Sequence, residues 1–299
     1  MRVRYAVPAV AALAALLLTG CVNNSAGSPG SSTETATDTV VAKDDKAAAL
    51  LPQEITASGT LIIGTSPNYS PNEFKDDSGN PIGWGIELTD AIAAKLGLTA
   101  AYKVANFDTI IPNIIGGKMH IGESSFTDNV KREEQVDFVN YYTAGIQWAS
   151  TKGKSVDPEN ACGLTVAVQA TTYEDTDEIP AKSDACVAAG KPPITKLKFD
   201  TQDAATNAAI LGQADAFSAD SPVTLYAISR TGGKLQTAGK TFDVSPYGLA
   251  VAKGSPLAKA VQAALQSMVD DGSYAAILDK WGVADGGLDK ITINAAANG

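Results

Sequence analysis

The chain is short of the residues from which metal centres and nucleophilic sites are built: its 299 residues include one histidine, His120, and three cysteines. Without a second imidazole or a C-x-x-C pair a Cys/His zinc set cannot be assembled, and no metal is expected. No Ser-His-Asp set and no glycine-rich phosphate loop is recognisable, so neither a cofactor nor catalysis is expected. Positive charge is scarce too. The 23 Lys and Arg residues against 33 Asp and Glu give a net charge of −10. Such an acidic surface argues against nucleic acid as a partner. No internal repeat is visible, and the apolar run from Ala6 to Leu18 is shorter than the ~20 residues that a membrane-spanning helix needs.

What is present begins with an export leader. Arg2 and Arg4 precede the apolar run and small residues follow it, the pattern of a secretory signal over residues 1–20. The run ends in Leu18-Thr19-Gly20-Cys21, which resembles the bacterial lipobox. That resemblance implies a lipid on Cys21 and a mature protein anchored at the extracellular face of the cell membrane. A signal with an ordinary small-residue cleavage site is the weaker alternative. From 21 to 50, Ser, Thr, Gly, Asn, Asp and Ala dominate, and the segment is expected to be a disordered tether. If Cys21 carries lipid, Cys162 and Cys186 remain as a pair in an exported protein, where a disulfide persists; two buried free thiols are the alternative. The ~250 residues left exceed one typical core and suggest two compact units.

The folded part reads as alternating strands and helices. Leu61 to Gly64 is a short apolar strand, and the helix marked by Leu88, Ile92 and Leu96 stops at Gly97. A strand over 100–104 and a helix opened by Asp108 follow, with Pro112 placed near its first turn, where a missing N–H costs least. A second unit starts after Gly163, with strands over 164–169, 194–199 and 215–219 and a helix over 202–211. Ser221 and Pro222 read as cap and first residue of a further helix. This order predicts α/β units with a largely parallel sheet. Ligand groups in such sheets sit beyond the carboxyl ends of strands, which places Thr172 and Asp220 beside a crevice. The last helices, opened by Ser255-Pro256 and Ser273, carry apolar core stripes.

The stretch SSFTDNVKREEQVDF, residues 124–138, gathers anion-binding chemistry. In an extended segment Ser125 and Thr127 face one side, and Asn129 reads as an N-cap with Arg132 on the first turn of a short helix. Hydroxyls, free backbone N–H groups and a guanidinium then converge on one spot, which suits a carboxylate. An exposed surface helix whose arginine pairs with Glu133 is the alternative.

Taken in order, several segments resemble the family-three extracytoplasmic solute-binding proteins of polar amino-acid ABC transporters. They are Asn68 to Phe74, Gly83 to Leu88, Phe107 to Pro112, Ser124 to Phe138, Val168 to Thr172, Gly212 to Ala216 with Asp220, and Lys280-Trp281-Gly282. The lipobox, tether and cysteine pair resemble its Gram-positive, actinobacterial branch. The resemblance implies an α/β, two-lobe fold of the periplasmic binding protein type with two hinge crossings and a ligand cleft between the lobes. Lobe one is then 58–145 plus 244–294 and lobe two 146–243. It further implies that Arg132 grips a ligand α-carboxylate with help from Ser125, Thr127 and Thr172, that Asp220 takes the α-ammonium, and that Tyr69 and Phe107 pack on the aliphatic part.

Several positions depart from the family pattern. Ala170 replaces a usual glycine, Asn72 stands where an aromatic is frequent, and His120 and Glu123 stand where Asp and an apolar residue are common. Ser66 occupies the place of an aspartate found in members selective for basic amino acids. Glu123 either faces the cleft, where with Ser66 it contributes side-chain selectivity, or is solvated. The implied function is capture of a polar amino acid and delivery to an ABC permease, by a lipid-anchored monomer without a cofactor. A dehydratase-like enzyme on the same fold, with His120 and Glu123 as acid and base, and an amino-acid sensory protein are the alternatives.

Overall fold

The computed structural model describes residues 41–298, so the leader and the lipidation expected at Cys21 lie outside the described residues. Ten strands are described: β1 (Thr60–Thr65), β2 (Phe74–Lys75), β3 (Pro81–Ile82), β4 (Thr99–Val104), β5 (Ile121–Gly122), β6 (Val136–Thr151), β7 (Thr165–Gln169), β8 (Thr195–Phe199), β9 (Ala216–Asp220) and β10 (Leu235–Ala252). Eight of them form one sheet in the order β4-β1-β5-β10-β6-β9-β7-β8, and β2 and β3 make a small separate ribbon. At one end β4, β1 and β5 are parallel; at the other β8, β7 and β9 are parallel. Between them β10 and β6 run antiparallel to each other and to their neighbours. The sheet is therefore mixed rather than largely parallel. The cause is the two long strands, which pass from one parallel half to the other in opposite directions.

Each half has its own core. Leu61, Ile63, Leu88, Ile92, Leu96, Val261, Leu265 and Met268 pack together at the β1 end. At the β7 end Ala149, Ala167, Ala205 and Phe217 form one cluster, while Trp148, Val166, Val168 and Ile179 form another. In the middle of β10 the pairing to β6 slips between Ala238 and Phe242 and again between Phe242 and Ser245. Asp243 there takes φ of 48°. Opposite it, Gly145 leaves no room for a side chain, since a Cβ would come within 2.5 Å of Thr241. A glycine is what lets the two strands cross this closely.

Some expected boundaries change. The tether does not extend to 50, nor does folded chain wait until 58. Asp44 caps a short helix, Asp45–Ala48, with Oδ1 accepting from the Lys46 N–H at 2.9 Å, and Ala47 lies in the first core. A second helix, Gln53–Ser58, leads into β1. Small Ala-rich residues look like a linker, but an alanine buries well once a neighbouring surface is there to receive it. Pro112 sits inside the helix Phe107–Ile115, past its first turn, on the exposed side; Asn106 precedes that helix and Asp108 lies within its first turn. The helices expected after Ser255-Pro256 and at Ser273 are Leu257–Asp270 and Ser273–Trp281, and the latter is preceded by Gly272 at φ of 81° instead of by a Ser cap; a short helix, Ala295–Asn298, follows. Among the described residues no helix is long and apolar enough to cross a membrane.

Cys162 and Cys186 form a disulfide, with Cα atoms 5.5 Å apart and 24 residues of separation. Cys186 lies on the helix Ile179–Ala188 and is buried in the Trp148 cluster. Closing a loop of this length stabilises the folded chain by about 3 kcal/mol in the chain-entropy model. Cys162→Ala/Cys186→Ala is expected to lower the free energy of unfolding, read from a urea titration, by an amount of that order. Unchanged stability in urea would show that the bond contributes nothing beyond packing.

Candidate functional site

One buried pocket gathers the carboxyl ends of strands from both halves of the sheet. It is lined by Ser66, Tyr69, Glu73, Phe107, Ser124, Ser125, Thr127, Arg132, Gln169, Thr172, Tyr173, Glu174 and Asp220. The expected residues Ser66, Tyr69, Phe107, Ser125, Thr127, Arg132, Thr172 and Asp220 are all on this wall. The expected Glu123 is not.

Arg132 arrives as expected. The helix Val130–Glu133 is capped by Asn129, whose Oδ1 accepts from the Arg132 N–H at 2.8 Å. The guanidinium donates through Nη1 to the Thr127 carbonyl at 2.8 Å and through Nη2 to the Thr171 carbonyl at 3.1 Å, so it ties the chain after β5 to the chain after β7. Its carbon lies 5.7 Å from the Phe107 ring centre and 5.8 Å from that of Phe126, and the two rings stack at 4.6 Å. Its hydrogen bonds go to these carbonyls and not to the acids Glu174 and Asp220 of the same wall. Burial pulls the guanidinium below its usual range while the charges of Glu174 and Asp220 oppose that. A guanidinium has five donors, and neutral carbonyls leave it with charge to share.

The segment before Arg132 differs from the extended strand that alternation predicts. β5 ends at Gly122, and Ser125 takes a left-handed φ of 51°. A non-glycine residue there is strained, at about 1 kcal/mol, and is held by its side-chain bonds. Ser125 Oγ accepts from Asn72 Nδ2 at 2.9 Å and donates to Glu73 Oε2 at 2.9 Å. Asn72 Oδ1 in turn accepts from the Trp84 indole at 2.7 Å. The departure at Asn72 thus has a structural reason: it positions Ser125.

On the opposite wall Thr171, at φ of 65°, is the strained residue, and Ala170 beside it needs no glycine because the left-handed turn falls one residue later. The Thr171 N–H donates to Asp175 Oδ2 at 2.9 Å, and Asp175 is paired with Lys196 at 2.7 Å. Thr172 spends its hydroxyl proton on the Gln169 carbonyl at 2.9 Å, which leaves its backbone N–H as the donor it has to offer an anion. A π-helical turn, Glu174–Glu178, follows. It buries Glu174, whose Oε1 has no hydrogen-bond partner among the described residues. Burial raises the Glu174 carboxyl above its usual range.

Asp220 ends β9 and occupies the cap position of the helix Ser221–Arg230, one residue earlier than expected, but its side chain makes no cap bond. Instead Tyr69 Oη donates to Asp220 Oδ2 at 2.8 Å and accepts from the Asp220 N–H at 3.1 Å. Burial, reinforced by the nearby Glu174 charge, pushes the Asp220 carboxyl well above its normal range. A buried acid that neither caps nor pairs with a cation is held in a costly state.

Glu123 follows neither expected course. It is 1% exposed and lies behind the pocket wall, with Oε2 accepting from Thr65 Oγ1 at 3.3 Å and its neighbour being Glu73. Glu73, with no exposure at all, does reach the pocket. Glu73 and Glu174 were not legible as site residues, because carboxylates in Pro-Asn-Glu-Phe and Glu-Asp-Thr-Asp-Glu look like any surface acid until a fold buries them. His120 is outside the pocket, its Nδ1 accepting from the Ile62 N–H at 3.0 Å.

A mixed sheet of two parallel halves joined by two crossing strands, with a polar pocket between the halves, defines a two-lobed extracellular solute-binding protein. Residues 61–284 match the model of the bacterial extracellular solute-binding proteins, family 3, and the chain belongs to that family. It is 42% identical over 248 residues, 82% of each chain, to the arginine-binding protein ArgT of Corynebacterium glutamicum. It is 29% identical over 290 residues to the ABC transporter glutamine-binding protein GlnH of Bacillus subtilis, covering 94% of this chain and 97% of the relative. An ancestral arginine-binding protein solved with arginine bound superposes with a TM-score of 0.68 at 32% identity, covering 75% of this chain and 98% of that one. These relatives are binding proteins, and the chain is not an enzyme.

The geometry at Asp220 yields a stability test. Since the carboxyl is buried without a cationic partner, Asp220→Asn, which keeps its shape, should leave the melting temperature of the protein without added amino acid unchanged or slightly raised. A drop of several degrees would show that the ionised carboxylate itself stabilises the fold, because Asn caps a helix as well as Asp does.

Proposed function

We propose that the protein captures a basic L-amino acid, with arginine first among candidates, and hands it to the permease of an ABC transporter. One observation carries the choice of ligand: the pocket sets three carboxyl groups, Glu73, Glu174 and Asp220, against a single guanidinium, Arg132. A zwitterion alone would leave two buried acids without a cationic partner. An amino acid with a second positive charge meets them. In this reading the α-carboxylate takes the remaining N–H groups of Arg132, as the sequence resemblance implied, with Ser125, Thr127 and the Thr172 N–H around it. The α-ammonium lies between Asp220 and Glu174. The side chain runs along Phe107 and Tyr69 toward Glu73, whose neighbours Ser66 and Ser124 supply further oxygen atoms. The arginine-binding relative at 42% identity supports the same class.

Capture would close the lobes about the middle of β6 and β10, near the limits 145/146 and 243/244, with Arg132 to Thr171 and Tyr69 to Asp220 as bonds made across the cleft. The protein would act as a monomer held to the cell membrane by a lipid on Cys21, with 22–43 as the spacer. The dehydratase alternative has little to work with, because His120 is engaged with the β1 backbone away from the pocket.

Calorimetric titration with arginine, lysine, ornithine, histidine, glutamine and glutamate tests the ligand class. Basic amino acids are expected to bind most tightly and glutamate not at all; tighter binding of glutamine would replace the reading by a neutral polar ligand. Arg132→Ala should weaken arginine binding by about 2–5 kcal/mol, more than thirtyfold, because the α-carboxylate loses its charged partner. Near-normal affinity in that variant would remove the carboxylate assignment.

A further inference from the structure

Behind the pocket wall lies a second feature that binding alone does not require. Glu73 and Glu123 are both buried, at 0% and 1% exposure, and stand beside each other. The hydrogen-bond donors that reach them are hydroxyls only: Ser125 to Glu73 at 2.9 Å, Ser124 to Glu73 at 3.4 Å and Thr65 to Glu123 at 3.3 Å. Among the described residues Glu123 Oε1 has no donor. It is pressed against Gly85, where a Cβ would lie 2.2 Å away.

Two adjacent carboxylates in such a place cannot both be ionised. Each would forfeit its hydration, and each would repel the other, with no cation to offset either. The orphaned oxygen points the same way, because an ionised oxygen there would lack any partner while a protonated carboxyl can donate to its neighbour. Other titratable groups around the pair give no relief. Tyr141 on β6 and Tyr102 on β4 are kept neutral by burial. The nearest guanidinium, Arg132, is bonded to Thr127 and Thr171.

Resting on the reading of a basic amino acid as ligand, we propose that arrival of its cationic side chain displaces one proton from the Glu73–Glu123 pair to water. Glu123 is then a positioning residue. It does not touch the ligand; it sets how much charge Glu73 presents, and so favours a cation over a neutral amide of the same size. Burial holds both acids up, Glu123 to about 8, in the direction this exchange needs. The sign follows. Below that range the pair is protonated and a cation must expel a proton to bind, so affinity for arginine rises with pH, by up to about tenfold per unit for one proton, and levels off once the pair ionises unaided.

Calorimetry of arginine binding at pH 7 in phosphate and in Tris measures the proton directly, because the two buffers take it up with different heats. The wild-type protein should release about one proton more with arginine than with citrulline, which has the same shape but a neutral end. In Glu123→Gln the repulsion between the two acids is gone and the amide can donate to Glu73, so the extra proton release should shrink and affinity should depend less on pH. Equal release with arginine and citrulline by the wild type would overturn the proposal, and this measurement does not depend on the variant folding. Equal release from wild type and variant would also overturn it by placing the proton elsewhere. Failure of arginine to bind at all would fell the ligand reading first, a result plainly different from binding without proton release.

Discussion

Arg132 is half-buried, flanked by two aromatic rings and bonded to two carbonyls, while the acids that could pair with it are held apart. Most of the local architecture serves that separation. Had Asp220 or Glu174 reached the guanidinium, the pocket would be an internal salt bridge, and a ligand would have to break it before binding. Keeping opposite charges in one cavity but on different partners is costly in a low dielectric. The cost is met by fixed dipoles: Thr127 and Thr171 carbonyls for the cation, the Tyr69 hydroxyl for Asp220, serine hydroxyls for Glu73.

Those dipoles are aimed by strained backbone. Ser125 and Thr171 are both left-handed, and each is pinned by a buried or paired side chain, Asn72 and Glu73 in one case and Asp175 in the other. The strain lies at the loops that end β5 and β7, on opposite walls of the cleft, and the rigid parallel strands behind them supply what over-determines it. The departures from the family pattern at Glu123 and Ala170 fall in these same two loops, and Asn72, between β1 and β2, bonds Ser125 in one of them.

The crossing strands β6 and β10 matter for a different reason. They carry the sheet through both halves, yet β10 is irregular and exposed midway, with slipped pairing and a left-handed Asp243. Two well-packed cores joined through a poorly packed middle make relative movement of the halves cheaper than deformation of either.

The order of strands and helices, the apolar faces of Leu88, Ile92 and Leu96, the Asn129 cap beneath Arg132 and the placement of Thr172 and Asp220 after strands were all legible in the sequence. Each depends on periodicity, capping or the topology of α/β units, which are local or nearly so. Tyr69, Phe107 and Ser66 became legible only through family resemblance, whereas Ser125 and Thr127 were read from an alternation that the backbone does not keep. The tertiary structure alone decided that Ser125 is left-handed, that Asp220 bonds Tyr69 in preference to its own helix, and that Glu123 stands behind Glu73 and not in the cleft. It alone showed that residues 44–58 belong to the fold. In every such case the partner is far away along the chain, and whether a carboxylate is a solvated surface charge or a buried, proton-bearing one is set by what the fold packs around it.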